Sequence, residues 1–361
     1  MKYVLLKKTF CLLLALLSSL GALWSQADVI RYSAVEYASQ GIVYYLPKSL
    51  VKVSLTIEKM TYTPGEFSAY APILFGKEIS IQPQTSYQIK SVRLSSIGVP
   101  DEEQQYIVSF KASNPFSYVA LTKEGVIAGI NTDGVPFVGE KEALLTEGSV
   151  LPQNNLALPR EYALATSKAK RAEIVAVKLF EMREDLLELI SGKAENAPRD
   201  GAAYELAVSE LKAQIAGLEA LFEGATATTT IHRDFFISPE GAINNRTLAR
   251  FSVQEGLLPA NSTKGEPITF NLSPTRSLQE LSPEEMEKRE RKLKGIIYNA
   301  PGIAEVTLRL DRKVIAKEDL PITQLGYRVS LENQITKPKE GNVCVLFDVN
   351  TGAILSLYKK E

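Results

Sequence analysis

The sequence has 361 residues, 45% hydrophobic and 23% charged, with 22 Gly and 18 Pro, which excludes a disordered polyelectrolyte and a collagen-like repeat. At about 150 residues per domain the length favours two domains or one long β-rich domain, and the apolar content supports a sizeable core. The 41 Lys plus Arg against 42 Asp plus Glu give a formal net charge of −1, so there is no basic field to attract nucleic acid.

Residues 1 to 27 read as a secretory signal peptide. Lys2, Lys7 and Lys8 open it without an acid, and Phe10 to Leu23 is almost continuously apolar. Ser25-Gln26-Ala27 then places small residues at the −3 and −1 positions of a cut after Ala27. The apolar core is shorter than the about 20 residues of a comfortable membrane span. Cys11 lies inside that core, badly placed for a lipid-modified N-terminus. Cleavage would move the formal charge from −1 to −4, because three lysines and no acid leave. It would also remove Cys11 and Trp24, leaving Cys344 without a partner for an intrachain disulfide. No later segment reads as an integral membrane span. The stretch from Val119 to Ile130 is broken by Lys123, Glu124, Gly125 and Gly129.

Residues 28 to 160 read as an N-terminal β-rich domain. Gly41 to Leu46 is β-branched and aromatic, and Pro47 is expected to stop it. Val51, Val53, Leu55 and Ile57 alternate with Lys52, Ser54, Thr56 and Glu58, the period of a strand with one buried face. Thr63-Pro64-Gly65-Glu66 ends that strand as a turn. Further alternations run through Tyr87, Ile89, Val92 and Leu94, and through Tyr106, Val108 and Phe110. Thr122 to Gly125 and Asn131 to Gly134 read as hairpin turns, Asp133-Gly134 being the stronger signal.

Residues 161 to 224 change period. Val175, Leu179, Met182, Leu186 and Leu189 follow a spacing of 4 and 3, and so do Tyr204, Val208, Leu211, Ile215, Leu218 and Phe222. Gly192 can end the first helix and Asp200 can cap the second. The expected element is an antiparallel helical hairpin, either with a solvated charged face or acting as a projecting docking arm.

Residues 225 to 361 read as a C-terminal β-rich domain with one short helix near 282 to 295. Thr226 to Ile231, with Phe235 and Ile237, reads as a strand, and Phe251 to Ala260 as a strand followed by a turn. Ser282-Pro283-Glu284-Glu285 is a capping box with proline at the first helical position. Val306, Leu308 and Leu310 alternate, as do Val343, Val345 and Phe347. Asn350-Thr351-Gly352 then turns into a last strand at Ile354, Leu355 and Leu357. The expected class is α+β, with mainly antiparallel β-sandwich or barrel-like regions and a long antiparallel helical hairpin between them. Pattern alone leaves open whether the two β-rich regions are separate domains or halves of one.

The chemistry-bearing residues are few. His232 is the single histidine, and with Cys344 it falls short of a zinc ligand set. The Gly-x-Ser-x-Gly elbow, the phosphate-binding glycine loops and the Asp-rich calcium loop are all missing. No cofactor and no metal is therefore expected. Paired carboxylates are harder to exclude, because glycoside hydrolysis needs two acids about 5 to 9 Å apart wherever they lie in the sequence. The adjacent acids Glu102-Glu103, Glu184-Asp185 and Glu284-Glu285 read as exposed. Tyrosine is dense at Tyr32, Tyr37, Tyr44, Tyr45, Tyr62 and Tyr70. Of these, Tyr44, Tyr45, Tyr62 and Tyr70 are the candidate binding residues, set against a role at strand and core edges. Asn245, Asn261 and Asn271 open glycosylation-type triplets to which no function attaches.

Several segments together resemble an exported family of gut Bacteroides-type bacteria, domain of unknown function family 4831. They are Gly41 to Lys48, Thr61 to Phe67, Leu186 to Gly192, Leu218 to Gly224 and Phe347 to Gly352. The resemblance spans most of the chain after the leader. It implies a Gram-negative protein, periplasmic or envelope-associated, and carries over no catalytic residue. Two classes of function follow. The first is a non-catalytic envelope protein that binds a protein or surface component such as a polysaccharide. The alternative is a carboxylate-based hydrolase of glycan or peptide. The missing catalytic signatures favour the first.

Overall fold

The computed structural model describes residues 28–31, 41–109, 119–132, 156–194, 198, 201–276, 282–293, 295–331 and 343–359. The leader, Tyr32, Tyr37, Phe110, the Asp133-Gly134 turn and the Asp200 cap lie outside them.

The first half of the chain holds β1 (Asp28–Arg31), β2 (Ile42–Thr63), α1 (Ala71–Phe75), β3 (Gln84–Ser109), β4 (Val119–Leu121) and β5 (Ile127–Ile130). Helices α2 (Arg160–Leu164), α3 (Lys168–Ser191) and α4 (Gly201–Glu223) follow. The chain then returns to strands, β6 (Ala225–Ile237), β7 (Ile243–Ser252), β8 (Gly256–Pro259) and β9 (Glu266–Arg276). Last come α5 (Pro283–Glu290), β10 (Ile296–Leu310), β11 (Lys313–Leu331), β12 (Val343–Phe347) and β13 (Ile354–Lys359). Three antiparallel sheets result, ordered β1-β3-β2-β6, β11-β10-β9-β7-β8 and β13-β12-β5-β4. The fold is α+β and sandwich-like, with the long helices between the sheet regions. Strands from the two β-rich stretches pair with each other twice, β2 with β6 and β5 with β12.

The alternating segment of β2 buries Val51, Val53, Leu55 and Ile57 completely or nearly so. Each such side chain contributes about 1.5–3 kcal/mol. They face Phe270, Leu272, Val306 and Leu308 of the second sheet across the first core. Pro47 does not end this strand, contrary to expectation. The register shifts between Tyr45 and Pro47, and Pro47 then stands opposite Pro100. Two residues without an N–H thus face one another where the ladder is already displaced. Beyond that bulge the same two strands line a second core, in which Tyr44, Leu46, Tyr106 and Val108 meet Ile127, Ile297, Val345 and Phe347. The separate alternations around Leu94 and Val108 likewise belong to one strand, β3. The stretch from Phe251 to Ala260 spans the end of β7, a turn and β8, rather than a single strand.

A buried polar crossing holds β2, β10 and β11 together where the two cores meet. Ser49 N–H donates to Thr323 Oγ1 at 2.9 Å, and Thr323 N–H donates back to Ser49 Oγ at 3.0 Å. Gln324 Nε2 donates to the Ser49 carbonyl at 2.8 Å. Asn299 Nδ2 donates to the carbonyls of Pro47 at 2.9 Å and Thr351 at 3.0 Å. The turn from Asp348 to Gly352 plugs this crossing from outside. Asp348 accepts from Asn350 N–H and from the Thr351 hydroxyl, and Gly98 N–H donates to Asn350 Oδ1.

The helical hairpin has its own core. Ser167 caps α3, and Gly192 closes it in the left-handed conformation. Val175, Leu179 and Met182 pack with Ile215, Leu218 and Phe222 of α4 and with Phe67 and Ala71 from the β2–β3 connection. Phe222 meets the Phe75 ring edge-on at 4.8 Å and the Phe67 ring at 5.6 Å. Gly65 sits so close beneath the end of α4 that a Cβ there would collide with the Ala220 and Leu221 carbonyls. Gly65→Ala is therefore expected to lower stability by about 2–4 kcal/mol in urea denaturation, by the overpacking mechanism. Gly201→Ala, where a Cβ meets nothing within 4 Å, should change it by less than about 0.5 kcal/mol.

Candidate functional site

The four candidate tyrosines do not converge. Tyr44 and Tyr62 lie toward opposite ends of β2, roughly 60 Å apart along the strand at about 3.3 Å per residue. Tyr44 is fully buried, with its ring stacked on Tyr106 at 5.7 Å. Its hydroxyl donates to the Ile297 carbonyl and accepts the Ile297 N–H at 3.0 Å. Burial pushes its phenol well above the ordinary value, and the Ile297 hydrogen bond offsets this only in part. Tyr45 points to the other face of the strand, half-buried, and accepts from Gln105 Nε2. The Tyr62 hydroxyl bridges the carbonyls of Ser80 and Glu223, both at 3.0 Å. Tyr70 packs against the hairpin core.

A cleft of about 180 Å³ opens beside the polar crossing. Its lining includes Lys48, Asp101, Gln104, Asn299, Tyr327 and Arg328. Arg328 is held by Glu290 and Gln104, and Arg289 lies over the Tyr327 ring at 4.0 Å. Asp101 is the single acid of the lining. Hydrolysis by paired acids needs two carboxyls across a groove; among the described residues the lining holds Asp101, and Glu290 pairs with the lining residue Arg328. Glu102-Glu103, Glu184-Asp185 and Glu284-Glu285 are exposed. Among the described residues no group of three or more His, Cys, Asp and Glu could hold a metal ion. His232 Nδ1 lies 3.3 Å from Thr56 Oγ1 across the β2–β6 ladder. Cys344 is buried in β12, with its thiol donating to the Asn131 carbonyl.

The outer face of α3 is different in kind. Val177, Phe180, Leu187 and Ile190 are each more than half exposed, and the Phe180 ring also meets Phe75 at 5.6 Å. At 100° per residue Val177, Phe180 and Leu187 fall outside the stripe of Val175, Leu179, Met182 and Leu186, whereas Ile190 stands about 20° from Leu179 and is exposed in the last turn of α3. Leu206 of α4 adds a fifth exposed apolar side chain. It stands about 200° around α4 from Tyr204, whose hydroxyl donates to the Leu189 carbonyl, so it lies on the side of α4 away from that contact. Glu184, Asp185 and Glu188 are exposed on the same helix. Among the described residues no helix is long and apolar enough to cross a membrane.

The family model described as domain of unknown function DUF4831 matches residues 40–355. The chain belongs to the DUF4831 family. Comparison with the curated proteins and with the solved structures finds no match. In this DUF4831 chain, several of the segments that carry the sequence resemblance are structural joints. Gly41 to Lys48 contains Tyr44 and the Pro47 bulge. Thr61 to Phe67 seats the end of α4, where Phe67 N–H donates to the Leu221 carbonyl at 2.7 Å. Phe347 to Gly352 plugs the crossing.

Tyr44→Phe removes one hydroxyl and strands the Ile297 N–H in the core. The expected cost is about 1–3 kcal/mol in urea denaturation. The pH dependence has a definite sign. The folded phenol value is raised above the unfolded value of about 10, so its stabilisation is complete below about pH 10 and declines as pH rises through that value. A denaturation series from pH 8 to 11 should show a shallower alkaline decline in Tyr44→Phe than in the parent.

Proposed function

We propose that this DUF4831 chain is an exported, non-catalytic protein of a Gram-negative cell envelope that binds a partner protein through the outer face of its helical hairpin. The carrying observation is the set of exposed apolar side chains Val177, Phe180 and Leu187, which share one side of α3 outside its core stripe. Isolated exposed apolar residues are ordinary, whereas several on one side of a rigid helix are a common mark of a recognition face. The exposed acids Glu184, Asp185 and Glu188 favour a partner whose apolar surface is flanked by lysine or arginine. The leader pattern in residues 1 to 27 supports export, and the family resemblance supports the envelope. The cleft beside the crossing, with its single acid, adds no hydrolytic reading.

Photo-cross-linking in intact cells tests the proposal. A photoreactive residue at Leu187 or Phe180 should yield one recurrent protein adduct in the envelope fraction, and the same residue at Gln254, on an exposed turn of the second sheet, should not. Equal labelling at both positions, or adducts with polysaccharide alone, would count against a protein-binding arm. Leu187→Glu should reduce the adduct formed from Phe180 at least about tenfold, as expected for loss of a central apolar contact. Because Leu187 is exposed, the thermal midpoint should shift by no more than about 1–2 °C.

A further inference from the structure

The cleft beside the crossing lies between two matched departures from strand pairing. In the β2–β3 ladder Tyr45 stands opposite Gln105 and Pro47 opposite Pro100, so Leu46 alone faces the four residues Asp101 to Gln104. In the β10–β11 ladder Ala300 stands opposite Tyr327 and Gly302 opposite Ile322, so Pro301 alone faces the four residues Thr323 to Gly326. Such excursions give up regular ladder bonds and re-aim side chains. The β11 excursion supplies Thr323 and Gln324 to Ser49. The β3 excursion serves the cleft. Its middle residues Glu102 and Glu103 are exposed, whereas its end residues Asp101 and Gln104 are half-buried and line the cleft. Gln104 Oε1 accepts from the Tyr106 hydroxyl at 3.0 Å and from Arg328, and Glu290 pairs with the same guanidinium. A guanidinium has five N–H donors, so two such contacts orient its fork without exhausting it. Asp101 Oδ1 accepts the Glu103 N–H at 3.2 Å, which holds that carboxylate in place. Lys48 joins the lining from β2.

We propose that this cleft binds a small α-amino acid with an uncharged side chain, its carboxylate at Arg328 and Lys48 and its ammonium at Asp101. Size excludes larger ligands. The cleft holds about 180 Å³, below the about 300 Å³ at which drug-sized pockets begin, so it takes a single residue rather than an oligosaccharide. Charge selects a zwitterion. Lys48 and Arg328 are set against Asp101 in the lining and Glu290 behind Arg328, two charges of each sign. A ligand of zero net charge keeps that balance, whereas a sugar acid brings a net negative charge beside Asp101. Donor chemistry fits the same ligand. The arginine fork matches a carboxylate, and an ionised aspartate only accepts, so it calls for a donor such as an ammonium group. Arg328 and Asp101 are already held by Gln104, Glu290 and the Glu103 N–H, which lowers the ordering cost of binding. The site shares no residue with the exposed face of α3 and does not depend on a protein partner there.

Ligand-observed NMR titration of the purified protein tests the site. Glycine, L-alanine and L-serine are the probes, and acetate, ethylamine and D-glucuronate are the controls. At least one of the three amino acids should bind saturably with a Kd below about 10 mM, and at least about tenfold more tightly than any control, because each control lacks one half of the zwitterion. Asp101→Asn keeps the oxygen that accepts the Glu103 N–H and removes the charge. It should weaken binding at least about tenfold, and so should Lys48→Gln. Glu102→Gln, on the same excursion but exposed, should change the Kd by less than about twofold. Absence of saturable binding by all three amino acids would overturn the proposal. So would acetate or D-glucuronate binding as tightly as the best amino acid, or an unchanged Kd in Asp101→Asn. Circular dichroism melts check that the variants fold, and the ligand panel on the parent decides the matter if one of them does not.

Discussion

The architecture depends on the buried polar crossing among Ser49, Asn299, Thr323 and Gln324. Long strands can serve two cores only if they bend where one core ends and the next begins. A bend breaks the ladder and leaves backbone groups without partners, each costing about 1–3 kcal/mol if buried. Here the bend in β2 falls at Pro47, and the Pro47 carbonyl is taken by Asn299. Ser49 replaces a missing strand partner with two side chains from β11. β10 shifts register between Ala300 and Gly302, and at Gly326 of β11 a Cβ would strike the Ala300 carbonyl. The crossing is thus a place where specific side chains, not apolar area, decide whether the fold closes.

The hairpin attaches by a different logic. Its core shares no buried residue with the other two. Contact with the first sheet is concentrated at one joint, where Gly65, Gly224, Phe67 and the Tyr62 hydroxyl meet the end of α4. Glycine is required at 224 both because φ is +76° and because a Cβ would strike the Thr63 carbonyl. The ion pairs along the helices, Lys170–Glu173 and Lys178–Glu181, are exposed and contribute at most about 1 kcal/mol each. Rigidity of the arm therefore comes from the aromatic packing of Phe67, Phe75 and Phe222 rather than from charge.

Local periodicity made much of this legible. The alternation of Val51 to Ile57, the helical spacing of Val175 to Leu189 and of Tyr204 to Phe222, and the capping box at Ser282 all mark real elements. Long strands were legible only in pieces. Pro47 reads as a terminator because nothing local announces that a bulge and an opposing Pro100 will absorb it. β11 escapes notice because Lys317, Glu318 and Asp319 interrupt its apolar residues. The tyrosine cluster is dense in sequence, yet Tyr44 and Tyr45 point to opposite faces of one strand and Tyr62 lies at its far end. The cleft is illegible for another reason. Lys48, Asp101, Asn299 and Arg328 belong to no motif, and only the crossing of four strands assembles them. The exposed apolar set on α3 was half visible, since the apolar residues left over after the core stripe is removed are those that face outward.

The third sheet has a consequence for when the molecule can become native. It joins β4 and β5 to β12 and β13, so Ile130 must find Val345 across more than half of the chain. Contacts of such separation are slow to form, because loop-closure entropy is lost before any packing compensates it. A chain made from its N-terminus can assemble β2, β3 and the hairpin early, but the second core stays open until β12 arrives. Tyr44 and Ile127, both destined for full burial, face solvent in that interval. Closure of the second core is therefore a late event, tied to the arrival of β12 and β13.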